Sequence, residues 1–222
     1  MCHMKSIKLF LLLIFAANLL HAQQKPPYWN DIQAFKKQDS IQQPPQHAIL
    51  FVGSSSFTKW KDVQDYFPGY TIINRGFGGS SLPDMIRYET DVIFKYEPKE
   101  IVIYCGENDL AFSNTVTAQM VFERFKQLFT DIRTKYSKVP LIYISMKPSP
   151  SRWNMKEKMI EGNELIKKYL KKKKKTVFVS VWNDMLGTDG KPMEDIFVED
   201  KLHMNAKGYA IWKKDIEPYL IK

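Results

Sequence analysis

Ala48-Ile49-Leu50-Phe51-Val52-Gly53-Ser54-Ser55-Ser56 is the stretch on which the reading of this chain turns. An unbroken apolar run without alternation describes a strand buried on both faces, the condition of a parallel sheet covered by helices. The glycine and serines that follow describe a tight turn out of that strand. Comparable β-rich runs recur at Tyr70–Asn74, Glu100–Cys105, Leu141–Ser145 and Thr176–Val181. Between them lie segments with helical spacing. The clearest are Val116–Tyr136, through Val121, Phe125, Leu128, Phe129 and Ile132, and Met155–Leu170, through Met159, Leu165, Ile166 and Leu170. A last helix is expected from Asn205, a suitable N-cap, through Tyr209, Ile211 and Trp212 towards Pro218. Strands alternating with helices predict an α/β domain around a five-stranded parallel sheet.

In an open parallel sheet, functional residues gather beyond the C-terminal ends of the strands. That rule carries Ser55 after the first strand, Gly78-Gly79 after the second and Glu107-Asn108-Asp109 after the third to one rim. Asp200-Lys201-Leu202-His203 precedes the final helix. A serine hydrolase needs a hydroxyl nucleophile, one imidazole and an orienting carboxylate. Of the four histidines, His3 and His21 fall in an N-terminal leader and His47 precedes the first strand, which leaves His203.

Lys5 and Lys8, the apolar run Leu9 to Leu20 and the small Ala22 before Gln23-Gln24 have the pattern of a secretory leader cleaved after residue 22. The run is shorter than the ~20 residues of a spanning helix, so export to the periplasm or medium without stable membrane insertion is expected. Residues 23–47, with Pro26-Pro27 and Pro44-Pro45, read as an N-terminal extension holding a short helix near Asp31–Gln38, and the domain as residues 48–222. The net charge of +9 owes much to Lys167, Lys168 and Lys171 to Lys175. This run reads as a solvated helix end, and an exported protein has little occasion to meet nucleic acid. Cys105 closes an apolar run and reads as a buried small hydrophobe. Too few histidines and cysteines remain for a closed zinc set, and no phosphate-binding loop or dinucleotide fingerprint is present, so no metal or cofactor is expected.

With these residues in place, the chain resembles the SGNH/GDSL hydrolase family. Gly53-Ser54-Ser55-Ser56 matches its first block, Asn74-Arg75-Gly76-Phe77-Gly78-Gly79 its second, Gly106-Glu107-Asn108-Asp109 its third and Asp200-Lys201-Leu202-His203 its last. The resemblance implies a flavodoxin-like three-layer α/β/α sandwich and a carboxylic ester hydrolase. It makes Ser55 the nucleophile, with His203 and Asp200 completing the triad. It also builds an oxyanion hole from the backbone N–H groups of Ser55 and Gly79 and the side-chain amide of Asn108. One departure is Ser54, where the family usually has Asp; the exchange removes a charge beside the nucleophile.

The substrate is read more coarsely, as a small-molecule or glycan ester. Export and the lack of a long apolar lid favour short acyl groups, including acetyl esters of glycans. Arg152 and Trp153, after the fourth strand, are the candidate substrate contacts. Two other readings stand beside this one: a lysophospholipase- or thioesterase-like acylhydrolase, and a non-catalytic carbohydrate-binding protein on the same scaffold.

Overall fold

Ile49–Gly53 forms the central strand β1 of a computed structural model that describes residues 25–222. The leader read over residues 1–22 lies outside the described residues. Strand β1 pairs in parallel with β2 (Ile72–Gly76) on one side and β3 (Glu100–Tyr104) on the other. Strands β4 (Leu141–Ile144) and β5 (Thr176–Val179) continue beyond β3, giving the order β2-β1-β3-β4-β5. The chain therefore reverses direction across the sheet between β1 and β3, where an open α/β sheet leaves a crevice at its C-terminal rim. Strand β2 begins two residues later than its apolar run. Tyr70 and Thr71 lie in the turn before it, where the Gln64 side chain donates to Tyr70 O at 2.7 Å and accepts from Ile72 N at 3.1 Å.

Register sets the two faces. Ile49 and Phe51 of β1, Val102 and Tyr104 of β3, and Ile142 and Ile144 of β4 share one face. On that face Trp60 and Trp212 are wholly buried, and the Tyr104 and Trp212 rings meet at 4.7 Å. Trp212 belongs to the last helix, Ala206–Ile216, whose N-cap Asn205 accepts from Lys207 N and Gly208 N. On the opposite face, Tyr143 of β4 packs on Phe125 at 4.8 Å, which brings in the helix Ala118–Lys135. That helix packs in turn on Lys156–Leu170. Layers of helix on both sheet faces make the expected three-layer α/β/α sandwich. No helix among the described residues is long and apolar enough to cross a membrane.

One boundary moves. Residues 31–222 form one compact unit, and the helix Trp29–Ile41 is longer than the short one expected near Asp31–Gln38. Asp39 on this helix is buried and receives the Arg75 guanidinium, the Lys95 ammonium at 2.7 Å and the Tyr96 hydroxyl at 2.8 Å. Residues 31–47 thus belong to the domain instead of preceding it. A buried carboxylate is stable only with such partners, and these come from β2 and from the segment before β3.

Glu100 opens β3 almost without exposure, its Oε2 accepting from Ile221 N at 3.2 Å. Burial pushes its carboxyl up to about 7, against the smaller opposing effects of the Ile221 N–H and Lys99. The folded state therefore holds this proton more tightly than the unfolded chain. The stability that the proton brings is complete below the unfolded value near ~4.3 and is lost as pH rises through 7. Glu100→Gln is expected to leave the unfolding free energy at pH 4.5 nearly unchanged and to raise it at pH 8 by ~2 kcal/mol. Denaturant titrations at both pH values check this, and equal effects at the two would count against it.

Candidate active site

Gly53 ends β1 with φ +155, and a Cβ there would stand 2.0 Å from the Tyr104 carbonyl oxygen. Only glycine permits this approach, which lets Ser54 N bond Tyr104 O at 3.1 Å and swings the next residues over the rim. Ser55 then starts the short helix Ser55–Thr58, with Ser54 at the N-cap position but making no side-chain capping bond, and is partly exposed, whereas Ser54 and Ser56 are buried. The register among the three serines is thereby decided by direction: Ser55 is the one that faces outward.

His203 comes to it from across the molecule. Its Nε2 lies 2.9 Å from Ser55 Oγ, and its Nδ1 lies 2.6 Å from Asp200 Oδ2. The other Asp200 oxygen accepts the backbone N–H groups of Leu202 and His203 at 2.9 and 2.8 Å. Partial burial works to raise the Asp200 pKa. The bond from the His203 ring and the two backbone N–H groups outweigh it, and the carboxyl settles at about 2. A carboxylate accepts only, so Nδ1 carries the proton in the neutral ring and Nε2 is left to accept from the serine hydroxyl. This arrangement can draw a proton off Ser55. His47 is exposed and adjoins the start of β1, at the far end of the sheet.

Gly79, in the turn after β2, has φ +84 and is exposed. Asn108 lies in the first turn of the helix Glu107–Phe112 after β3. Its Nδ2 donates to Ser80 O at 2.9 Å and its Oδ1 accepts from an Arg152 guanidinium nitrogen at 2.8 Å. Nδ2 keeps a second proton.

Glu107 and Asp109, beside Asn108, belong to the interior. Glu107 receives Lys147 at 3.2 Å, Arg152 at 2.8 Å and the Tyr104 hydroxyl. Burial alone would raise its pKa; Lys147, Arg152 and that hydroxyl more than reverse the effect and hold it below the usual carboxylate range. Burial in turn draws the Lys147 pKa below its ordinary value, with Glu107 working against the shift. Asp109 accepts Leu82 N at 2.9 Å and Arg124 at 2.8 Å, yet burial leaves its pKa raised. Lys147 is not among the candidate residues, and Glu107 enters them only as a rim neighbour of Asn108. A lysine at the outlet of the apolar strand Leu141–Ile144 was the available signal, because a cation there needs a buried partner.

Other rim residues are diverted as well. Arg75 is held under β2 by Asp39, and Ser80 is fully buried with its hydroxyl on Phe77 O at 2.8 Å. Arg152, expected as a substrate contact, turns two guanidinium nitrogens inward to Glu107 and Asn108 and stays partly exposed. Trp153 stacks on Trp182 at 6.1 Å with 23° between the rings, and both stay half-buried. Ser151 N bonds Lys201 O at 3.1 Å, joining this segment to the Asp200–His203 loop. Cys105 is buried, and burial pushes its thiol well up, as suits an inert side chain.

Comparison with solved structures supports the fold. A candidate acylhydrolase from Bacteroides fragilis NCTC 9343 superposes with a TM-score of 0.73 at 22% identity, covering 88% of this chain and 97% of its own. A GDSL-like lipase from Bacteroides thetaiotaomicron VPI-5482 gives 0.68 at 22% identity, over 84% and 95% of the two chains. An acetylxylan esterase from Geobacillus stearothermophilus gives 0.62 at 14% identity, over 81% and 96%. Among curated proteins no sequence match is found. The profile of the GDSL-like lipase/acylhydrolase family matches residues 39–211, which hold every residue of the rim just described. The chain belongs to that family and is a carboxylic ester hydrolase.

Proposed function

We propose that this protein is an exported serine esterase that removes short acyl groups, with acetyl esters of glycans as its substrate class. The observation that carries the reading is the hydrogen-bonded chain from Ser55 Oγ through His203 to Asp200. In the proposed reaction Ser55 Oγ attacks the ester carbonyl while His203 Nε2 takes its proton. The same nitrogen then returns the proton to the departing alcohol, and a water attacks the acyl-serine in the second half. Asp200 holds the tautomer and faces the imidazolium that forms. The oxyanion is received by Asn108 Nδ2 and by the Ser55 and Gly79 N–H groups; Ser55 N–H stands at a helix start, where the ladder offers it no acceptor. Export rests on Lys5, Lys8 and the run Leu9 to Leu20.

Two features support the short acyl group and the glycan. Cavities of about 650, 430 and 420 Å³ are present, and none of the three is lined by Ser55, Gly79, Asn108 or His203. An acyl chain growing from Ser55 therefore gains no shelter in them, and each unsheltered methylene forgoes ~0.8 kcal/mol. The half-buried Trp153–Trp182 pair adjoins the Asp200–His203 loop; Lys156 Nζ stands over the Trp153 ring at 5.1 Å, so the Trp182 side of the pair is the apolar surface of the kind sugar rings stack on. Likeness in fold to the acetylxylan esterase agrees with both.

p-Nitrophenyl acetate and butyrate are expected to give higher kcat/KM than the decanoate and palmitate, measured on one enzyme preparation. A kcat/KM that climbs steadily with chain length would reject the short-acyl reading and favour a lipid acylhydrolase.

A further inference from the structure

Asn108 has two heavy-atom partners of opposite character. Arg152 can only donate and meets Oδ1 at 2.8 Å, while Ser80 O can only accept and meets Nδ2 at 2.9 Å. Turning the carboxamide over would set an NH2 group against a guanidinium and an oxygen against a carbonyl. Both contacts would then become repulsive, so the orientation is fixed by chemistry and not merely by packing.

The guanidinium is itself fastened. Its other terminal nitrogen donates to Glu107 Oε1 at 2.8 Å, and Glu107 is wholly buried with Lys147 and Tyr104 at its remaining oxygen. Arg152 thus bridges two consecutive residues of one helical turn, gripping the Glu107 carboxylate and the Asn108 carbonyl oxygen together. Lys147 offsets the Glu107 charge, so the Arg152 charge remains over, directly behind the amide that faces the developing oxyanion. A cation there polarises the carboxamide and makes its N–H a better donor.

We infer that Arg152, anchored by the buried Glu107–Lys147 pair, is a positioning residue that locks the Asn108 amide with its N–H toward the reacting carbonyl. The inference rests on the proposed oxyanion role of Asn108. It assigns Arg152 to the transition state instead of to binding of the ground-state substrate, and it gives the buried Glu107 and Lys147 a purpose that burial cost alone would not justify.

A double-mutant cycle in p-nitrophenyl acetate hydrolysis tests it, with kcat and KM measured separately for Asn108→Ala, Arg152→Ala and the pair. Removal of an oxyanion donor is expected to lower kcat roughly 10²- to 10³-fold. Arg152→Ala should lower kcat roughly 10- to 100-fold, since the donor is misaimed but still present, with KM within about twofold. The double variant should be no worse than Asn108→Ala alone, because a lock without its bolt has nothing to hold. Arg152→Lys, which keeps the charge beside Glu107 but cannot span to both partners, should recover only part of the loss; it also serves if Arg152→Ala does not fold. Losses that multiply in the double variant, or an Arg152→Ala defect confined to KM, would overturn the inference and restore Arg152 as a substrate contact. Full activity in Asn108→Ala would instead remove the oxyanion assignment on which the inference stands, while leaving Ser55 and His203 untouched.

Discussion

Ser55→Ala is expected to lower kcat for p-nitrophenyl acetate by at least ~10³-fold, with a melting temperature within a few degrees of wild type. The two halves of this expectation have separate causes. Ser55 Oγ is the hydroxyl that His203 Nε2 meets at 2.9 Å, and Ser54 and Ser56 are buried away from the rim. Stability should hardly change, because the lost group is partly exposed and surrenders one hydrogen bond to an imidazole that water can serve. The same variant should fail to take up a fluorophosphonate label, which reacts only with an activated serine. Ser54→Ala and Ser56→Ala should label and keep much of the activity. An inactive Ser54→Ala beside an active Ser55→Ala would move the nucleophile by one residue and break the proposed geometry.

The second large effect is expected at the partners of that serine. His203→Ala should cost at least ~10³-fold in kcat, since no other imidazole lies within reach of Ser55 Oγ among the described residues. Asp200→Asn should cost less, roughly 10²- to 10³-fold. An asparagine that offers its NH2 to the ring reverses the tautomer, yet the Asp200 side chain is 46% exposed and water can compensate in part. His47→Ala should stay within about twofold. Acid behaviour follows from the same site. The Asp200 carboxyl is depressed to about 2 in the folded protein. Its stabilising contribution is therefore present above the unfolded value near ~3.9 and is lost as pH falls from there towards 2. Solvent screening at that exposure keeps the contribution small. Activity lost between pH 5 and 4 would then not come from Asp200, and a kcat profile in which Asp200→Asn abolished such a limb would contradict the assignment.

Much of this was legible before any coordinates. Strands β1, β3, β4 and β5 coincide with their apolar runs to within two residues, and the helices Ala118–Lys135 and Lys156–Leu170 lie inside the periods read for them. Long segments with a single strong pattern leave little for tertiary context to alter. The short helices Val63–Tyr66, Leu82–Arg87 and Glu89–Val92 were not read, because a turn or two of helix carries no period of its own.

By itself the sequence determined the parallel α/β fold and the chemical kind of the rim. Continuous apolar strands alternating with helical segments point to a parallel sheet, and a scarce imidazole three residues after a carboxylate, together with a serine after the first strand, points to nucleophilic hydrolysis. Tertiary structure decided which polar residues are spent on the fold and which remain for chemistry. Asp39, Arg75, Ser80, Glu107 and Asp109 look as available as Ser55 when read along the chain, yet each is buried. A buried charge has to find its partner inside, and for the most heavily partnered carboxylates those partners come from segments tens of residues away: Asp39 with Arg75 and Tyr96, Glu107 with Lys147 and Arg152. No local pattern encodes such pairings, because the cost that enforces them exists only once water has been excluded.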